Sequence, residues 1–230
     1  MGGIRENILD IKEKIQNSAV KSKDSSDIIT LIGVTKTRSP AEINEAIHSG
    51  ITDIGENRVQ EILNKYNEVI PVRWHMIGHL QTNKVKYIID KVKMIHSVDS
   101  LKLAKEINKR AGQHHLVMDV LVQVNIADED SKFGLKPEEL DSFLDSIKEY
   151  NHIQVKGLMT VAPLEENPEN VRIYFRQMKE LFNTYKKSNL RNQDMKYLSM
   201  GMTNDFEIAI EEGANMVRIG TAIFGARNKA

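Results

Sequence analysis

Residues 28, 30, 32, 34 and 36 read Ile, Thr, Ile, Val and Lys, so period-2 alternation puts Lys36 at the end of one largely apolar strand face. An amine in such a half-apolar place has a lowered affinity for its proton, which suits addition to an aldehyde and formation of a Schiff base. Position alone proves little, because a lysine at a strand end ordinarily just reaches water. Complementary chemistry stands near the other end of the chain. Tyr197-Leu198-Ser199-Met200-Gly201-Met202-Thr203-Asn204-Asp205 runs from a strand into the start of a helix, and Val217-Arg218-Ile219-Gly220-Thr221-Ala222 ends a second strand with Gly-Thr. Small residues, hydroxyls and helix-opening N–H groups at such junctions suit a phosphate, although ordinary turn chemistry explains either stretch by itself.

Arg218 narrows the choice. Met216 and Arg218 share one face of the last strand and Val217 and Ile219 take the other. A guanidinium on an inward face needs an acceptor, supplied by a structural ion pair or by the pyridine nitrogen of a bound cofactor. In the second case the nitrogen stays unprotonated and the ring is a weaker electron sink than it is beside an aspartate. Other polar residues near strand ends are Asn57, His75, His79, Gln123 and Asn125. The 7 histidines form no H-E-x-x-H pattern, so His75 and His79 read as structural or rim residues and no metal site is expected. G-x-S-x-G and P-loop motifs are missing as well.

The elements that must position these groups alternate along the whole chain. Ile4, Ile8, Ile11 and Ile15 give a leading amphipathic helix that ends before the polar run Lys21 to Asp27. Strands are predicted at Ile28–Val34, Ile51–Ile54, Arg73–Ile77, Met94–Ser97, Val117–Asn125, Ile153–Thr160, Lys196–Ser199 and Met216–Ile219. Helices are predicted between them at Pro40–Ser49, Asn57–Tyr66, Lys84–Asp90, Leu101–Arg110, Pro137–Tyr150 and Val171–Lys187. Eight parallel strands joined by crossovers close into a single α/β domain over residues 1–230, a (β/α)8 TIM-type barrel with an extra N-terminal helix. An open doubly wound sheet is the second choice, and no G-x-G-x-x-G follows the first strand to support it.

Bulk properties fit one globular domain, with 230 residues of which 40% are apolar and 28% charged. The 32 basic and 32 acidic residues balance, so no global field draws the chain to nucleic acid or an anionic membrane. The absence of cysteine excludes disulfides, thiol nucleophiles and cysteine-ligated metals. Without a signal-like or membrane-spanning stretch, the expectation is a soluble, cytoplasmic protein.

Several ordered motifs then add a resemblance. They are Gly33-Val34-Thr35-Lys36-Thr37, Ile54-Gly55-Glu56-Asn57, Trp74-His75-Met76-Ile77-Gly78 with Leu80-Gln81-Thr82-Asn83-Lys84, Gln123-Val124-Asn125, Gly157-Leu158-Met159, Leu198-Ser199-Met200-Gly201-Met202 with Asp205, and Val217 to Gly225. From about Leu31 to Gly225 the chain resembles the pyridoxal phosphate homeostasis protein family, which looks like the barrel domain of alanine racemase standing alone. The resemblance implies pyridoxal 5′-phosphate (PLP) as a Schiff base on Lys36, phosphate contacts at Ser199, Met200, Gly220 and Thr221, Arg218 at the pyridine nitrogen and Asn57 beside the ring. His79 stands where relatives often have proline, and Thr203 replaces a common serine.

Two functions follow from this. One is a non-catalytic holder of PLP that serves vitamin B6 and amino-acid balance, with PLP-dependent apo-enzymes as recipients and the chain a monomer or weak dimer. The other is an amino-acid racemase or related fold-type III enzyme. Alanine racemase takes a second acid/base tyrosine from a C-terminal β domain of its partner subunit, and only five residues follow Gly225 in this sequence. The carrier is therefore the expectation, with no catalytic residue assigned.

Overall fold

The computed structural model describes residues 2–22, 28–129, 133–187 and 191–226. Its eight strands are β1 (Thr30–Val34), β2 (Asp53–Glu56), β3 (Arg73–Met76), β4 (Met94–Val98), β5 (Met118–Gln123), β6 (Ile153–Met159), β7 (Gln193–Ser199) and β8 (Met216–Ile219). All neighbouring pairs are parallel, and β8 returns to β1 with Thr30 opposite Met216 and Ile32 opposite Arg218, closing the barrel. The predicted barrel is the observed one.

Alternation along the strands produces two cores. Inward residues Ile32, Met94, Leu121, Met159 and Met216 fill the barrel interior. Outward residues such as Ile54, Trp74, Ile95, Val120, Leu158 and Val217 lie buried beneath the helices. Gly157, at φ 152°, sits where the β6–β7 register shifts, and a Cβ there would run into the Tyr197 carbonyl. Only glycine lets the two strands meet at that point.

Helices α1 (Ile4–Lys21), α2 (Pro40–His48), α3 (Val59–Lys65), α4 (Leu101–Gln113), α5 (Leu140–Ile147), α6 (Arg172–Lys186), α7 (Phe206–Glu211) and α8 (Thr221–Phe224) surround the strands. Since α8 is a single turn, α1 takes the outer position between it, α7 and α2, and the Asn7 amide donates to the Ile223 carbonyl at 2.9 Å. Ile8, Ile11 and Ile15 are buried there, each contributing roughly 1.5–3 kcal/mol. Part of the polar run predicted after α1, residues 23–27, lies outside the described residues. Helix α2 starts on a capping box: Ser39 Oγ accepts from the Glu42 N–H, Glu42 accepts from the Ser39 N–H, and Pro40 follows the cap.

The segment predicted as a helix at Lys84–Asp90 is a 3-10 helix over Thr82–Tyr87. It carries no side-chain N-cap, although Val85, Ile88 and Ile89 are buried at the i, i+3, i+4 spacing of an α-helix. Helix α5 is shorter than predicted because its first turn, Pro137–Glu139, is also 3-10, and α6 matches the predicted Val171–Lys187 to within one residue at each end.

Candidate cofactor site

A cavity of about 380 Å³ opens at the C-terminal ends of β1, β7 and β8, within the range of small-molecule sites. Lys36, Arg218, Gly220 and Thr221 share its lining, together with Arg38 and the Thr203–Asp205 turn. A smaller cavity of about 230 Å³ is lined by Lys36, Thr37, Asn57, Arg58 and Glu61, so Lys36 forms part of both walls. Ser199 and Met200 lie elsewhere. Both are fully buried, Ser199 facing into the barrel and Met200 packed in the layer under the helices.

The turn that carries Lys36 is held from three sides. Thr35 Oγ1 donates to Glu56 Oε1 at 2.7 Å, Lys65 Nζ donates to the Thr35 carbonyl at 3.0 Å, and the Thr37 N–H donates to Glu61 Oε2 at 3.2 Å. Lys65 also bridges Glu56 at 2.9 Å and Glu61 at 2.7 Å, tying α3 to the end of β2. Thr37 has φ 64°, a left-handed conformation that a β-branched residue adopts only when its surroundings impose it. Burial pushes the Glu56 carboxyl up, opposed by Lys65 and Thr35. Lys65, by contrast, holds Glu61 below the usual carboxylate range.

Arg218 points into the barrel and is 4% exposed. Its Nη1 donates to Ser199 Oγ at 2.6 Å and its Nη2 to the Thr160 carbonyl at 2.8 Å. Burial lowers its pKa to about 10, with Asp205 acting against the shift, so it is a cation at neutral pH. Asp205 is itself pushed up by burial, and the Met202 N–H donates to it at 2.5 Å.

The rest of the lining suits an anion. Thr203, Asn204, Thr221 and Ala222 have backbone N–H groups without an acceptor among the described residues, as expected where turns open into α7 and α8. Among the described residues of the lining stand three cationic side chains, Lys36, Arg38 and Arg218, and one carboxylate, Asp205. Gly220 passes so close to β1 that a Cβ would meet the Val34 carbonyl at 3.2 Å. An amine, a cationic donor for an aromatic nitrogen and a set of N–H groups fit an aldehyde-bearing phosphorylated pyridine such as PLP.

Sequence reasoning missed three groups here. Arg38 drew no reading from the sequence, and Glu42 and the ring of Phe224, 5.6 Å from its guanidinium carbon, hold it at the cavity. Thr203 and Asn204 were noticed only as part of a capping stretch, although their N–H groups line the cavity. The Lys65 to Glu56 contact joins a helix to a strand, and no local pattern reports it. His79 stacks on Phe133 with ring centres 3.8 Å apart, on the surface and away from both cavities. Gln123 and Asn125 brace the loop after β5 by donating to the carbonyls of Phe133 and Glu129.

Comparison with known proteins agrees with this geometry. The family described as alanine racemase, N-terminal domain, matches residues 4–228. A pyridoxal phosphate homeostasis protein of Aquifex aeolicus is 45% identical over 224 residues, covering 96% of this chain and 97% of the relative. PipY of Synechococcus elongatus, solved with PLP bound, superposes with a TM-score of 0.84 at 30% identity, covering 96% of this chain and 100% of that one. Alanine racemase of Clostridium difficile shares the fold at a TM-score of 0.72 and 16% identity, and the chain spans 60% of its length. The chain belongs to the alanine racemase N-terminal domain family, among the pyridoxal phosphate homeostasis proteins.

Proposed function

We propose that the chain binds PLP through Lys36 and holds it for intracellular PLP homeostasis in the cytoplasm, without turning over an amino acid. The observation that carries this reading is the meeting of Lys36, Arg218, Gly220 and Thr221 on one cavity. When bound, the cofactor supplies an aldehyde and an electron-accepting ring. Lys36 would hold the cofactor through its aldehyde carbon as a Schiff base. Arg218 donates to the ring nitrogen and Asn57 flanks the ring from the smaller cavity. Gly220 and Thr221 take the phosphate along with the free N–H groups of Thr203 and Asn204. Ser199 supports Arg218 from below, and the Met200 N–H is taken by the Met216 carbonyl at 3.2 Å, so the phosphate is left to the other groups.

Holding rather than catalysis is favoured by the choice of groups. An arginine at the ring nitrogen leaves the ring a weak electron sink. Among the described residues, the cavity lining contains no tyrosine or histidine to act as a second acid/base group opposite Lys36. The curated relatives are likewise named for homeostasis and not for a reaction. PLP-dependent apo-enzymes would be the recipients, with the chain a monomer or weak dimer.

The test has two parts. Protein loaded with PLP should show a visible absorption band that Lys36→Ala lacks, while circular dichroism stays unchanged. The loaded protein should then exchange no α-protons across a panel of amino acids in deuterated solvent, read by NMR. A band that persists in Lys36→Ala contradicts the lysine assignment, and rapid exchange lost in Lys36→Ala makes the protein an enzyme.

A further inference from the structure

The barrel interior holds a polar chain that crosses it from one end to the other. At the N-terminal end, Arg73 Nε and Nη2 donate to Asp53 at 2.7 and 2.6 Å. Asp53 Oδ1 lies 3.0 Å from His75 Nε2, His75 Nδ1 lies 2.9 Å from His96 Nε2, and His96 Nδ1 lies 3.5 Å from Ser199 Oγ. Ser199 Oγ then accepts from Arg218 at 2.6 Å. Asp53, His75, His96, Ser199 and Arg218 are all buried, and only Arg73 reaches solvent.

One assignment of protons pairs every link of this chain. A guanidinium only donates, so Ser199 Oγ accepts from Arg218, and in this assignment its own proton goes to His96 Nδ1. Burial, with the Arg218 cation acting the same way, holds the His96 pKa well below its ordinary value, so the ring is neutral. The His96 proton is therefore on Nε2 and faces His75 Nδ1. His75 in turn carries a proton on Nε2 and donates it to Asp53. Each link has one proton, and the chain runs from the cation at the cavity to the carboxylate at the far end. Barrel interiors are ordinarily filled with apolar layers, as Ile32, Leu121 and Met159 do here, and a buried polar chain is tolerated only when every member is paired.

We propose that His96 and His75 are positioning residues for Arg218: anchored by Asp53, they keep the Ser199 hydroxyl turned as an acceptor and so aim the remaining guanidinium N–H groups at the ligand. Two of the five guanidinium N–H groups are spent on Ser199 and Thr160, which leaves three for the cavity. If Ser199 turns, the fork turns with it. This rests on the reading that the cavity takes PLP, and it assigns work to two histidines that touch neither cavity.

The test is long-range 1H–15N NMR on histidine-labelled wild-type protein, before and after adding PLP, combined with the rate of cofactor loss on dilution for two variants. The expected spectrum has the proton on Nε2 in both His75 and His96, with the His96 nitrogens shifting on loading. His96→Leu should lose the cofactor about tenfold faster with a displaced absorption maximum, since a buried hydroxyl loses its acceptor, and His96→Gln, which keeps a donor and an acceptor, should recover most of the retention. A His96 proton on Nδ1, or wild-type retention and an unmoved maximum in His96→Leu, overturns the proposal. Wild-type protein that never develops a band contradicts the cofactor reading instead, and the tautomers still decide the chain. If His96→Leu does not fold, the wild-type spectra and His96→Gln carry the test.

Discussion

Arg218 shows how one side chain is kept charged, buried and available. Ser199 and Thr160 fix two of its N–H groups, and the fork geometry points the others at the cavity beside Lys36. Arg218→Lys keeps the charge but not the fork, and its cost in cofactor binding should be about 1.5–3 kcal/mol, the size of a hydrogen bond to a charged group. Equilibrium titration followed by the visible band checks this, and unchanged affinity would mean that Arg218 does not touch the ligand. Thr221→Ala should cost less, about 1 kcal/mol, because neighbouring backbone N–H groups still face the anion. That Lys36, Arg218, Gly220 and Thr221 meet at one end of the barrel was legible in the sequence, because strand alternation and strand ends fix where such residues stand. The orientation of the Ser199 hydroxyl was not legible, since it depends on His96, 103 residues away.

At the scale of elements, the β1–α2 turn is set by α3. Lys65 neutralises Glu56 in a buried setting and holds the Thr35 carbonyl, while Glu61 holds the left-handed Thr37. Lys65→Met leaves the Glu56 carboxyl buried without its cation and should destabilise the fold by about 3–5 kcal/mol. Adding Glu56→Gln should recover part of that loss, because the remaining group is neutral. Urea denaturation of the single and double variants decides, and equal stabilities would show that the pair is not coupled. The strands were readable from β-branched runs bounded by turn residues, and all eight are present. Less readable were the 3-10 segment at Thr82–Tyr87, where Val85, Ile88 and Ile89 keep the apolar spacing of an α-helix, and the single-turn α8, too short to leave a period.

Across the whole molecule, the interior chain links stability to pH. His96 is held neutral in the folded state, with its pKa lowered first by burial and also by the Arg218 cation, whereas in the unfolded chain it takes a proton near pH 6.5. The unfolded state thus binds more protons below that pH. The stability contributed by this group is complete above about pH 6.5 and declines by about 1.4 kcal/mol per pH unit as acid is added. Asp53 adds to the acid loss at lower pH. Burial raises its carboxyl, but hydrogen bonds from His75, Arg73 and Thr52 outweigh this and hold it far below the ordinary range, so its contribution declines below about pH 4. Denaturation of His96→Gln between pH 5 and 6.5 should show a flatter slope than wild type, and parallel slopes would mean that His96 titrates normally in the fold. Among the described residues no helix is long and apolar enough to cross a membrane. The central claim, a cofactor held covalently by Lys36, is tested most directly by borohydride reduction of PLP-loaded protein, digestion and mass spectrometry of the peptides. The account predicts one pyridoxyl-phosphate adduct, on Lys36. An adduct on another lysine in its place, or none from protein that shows the band, would contradict it.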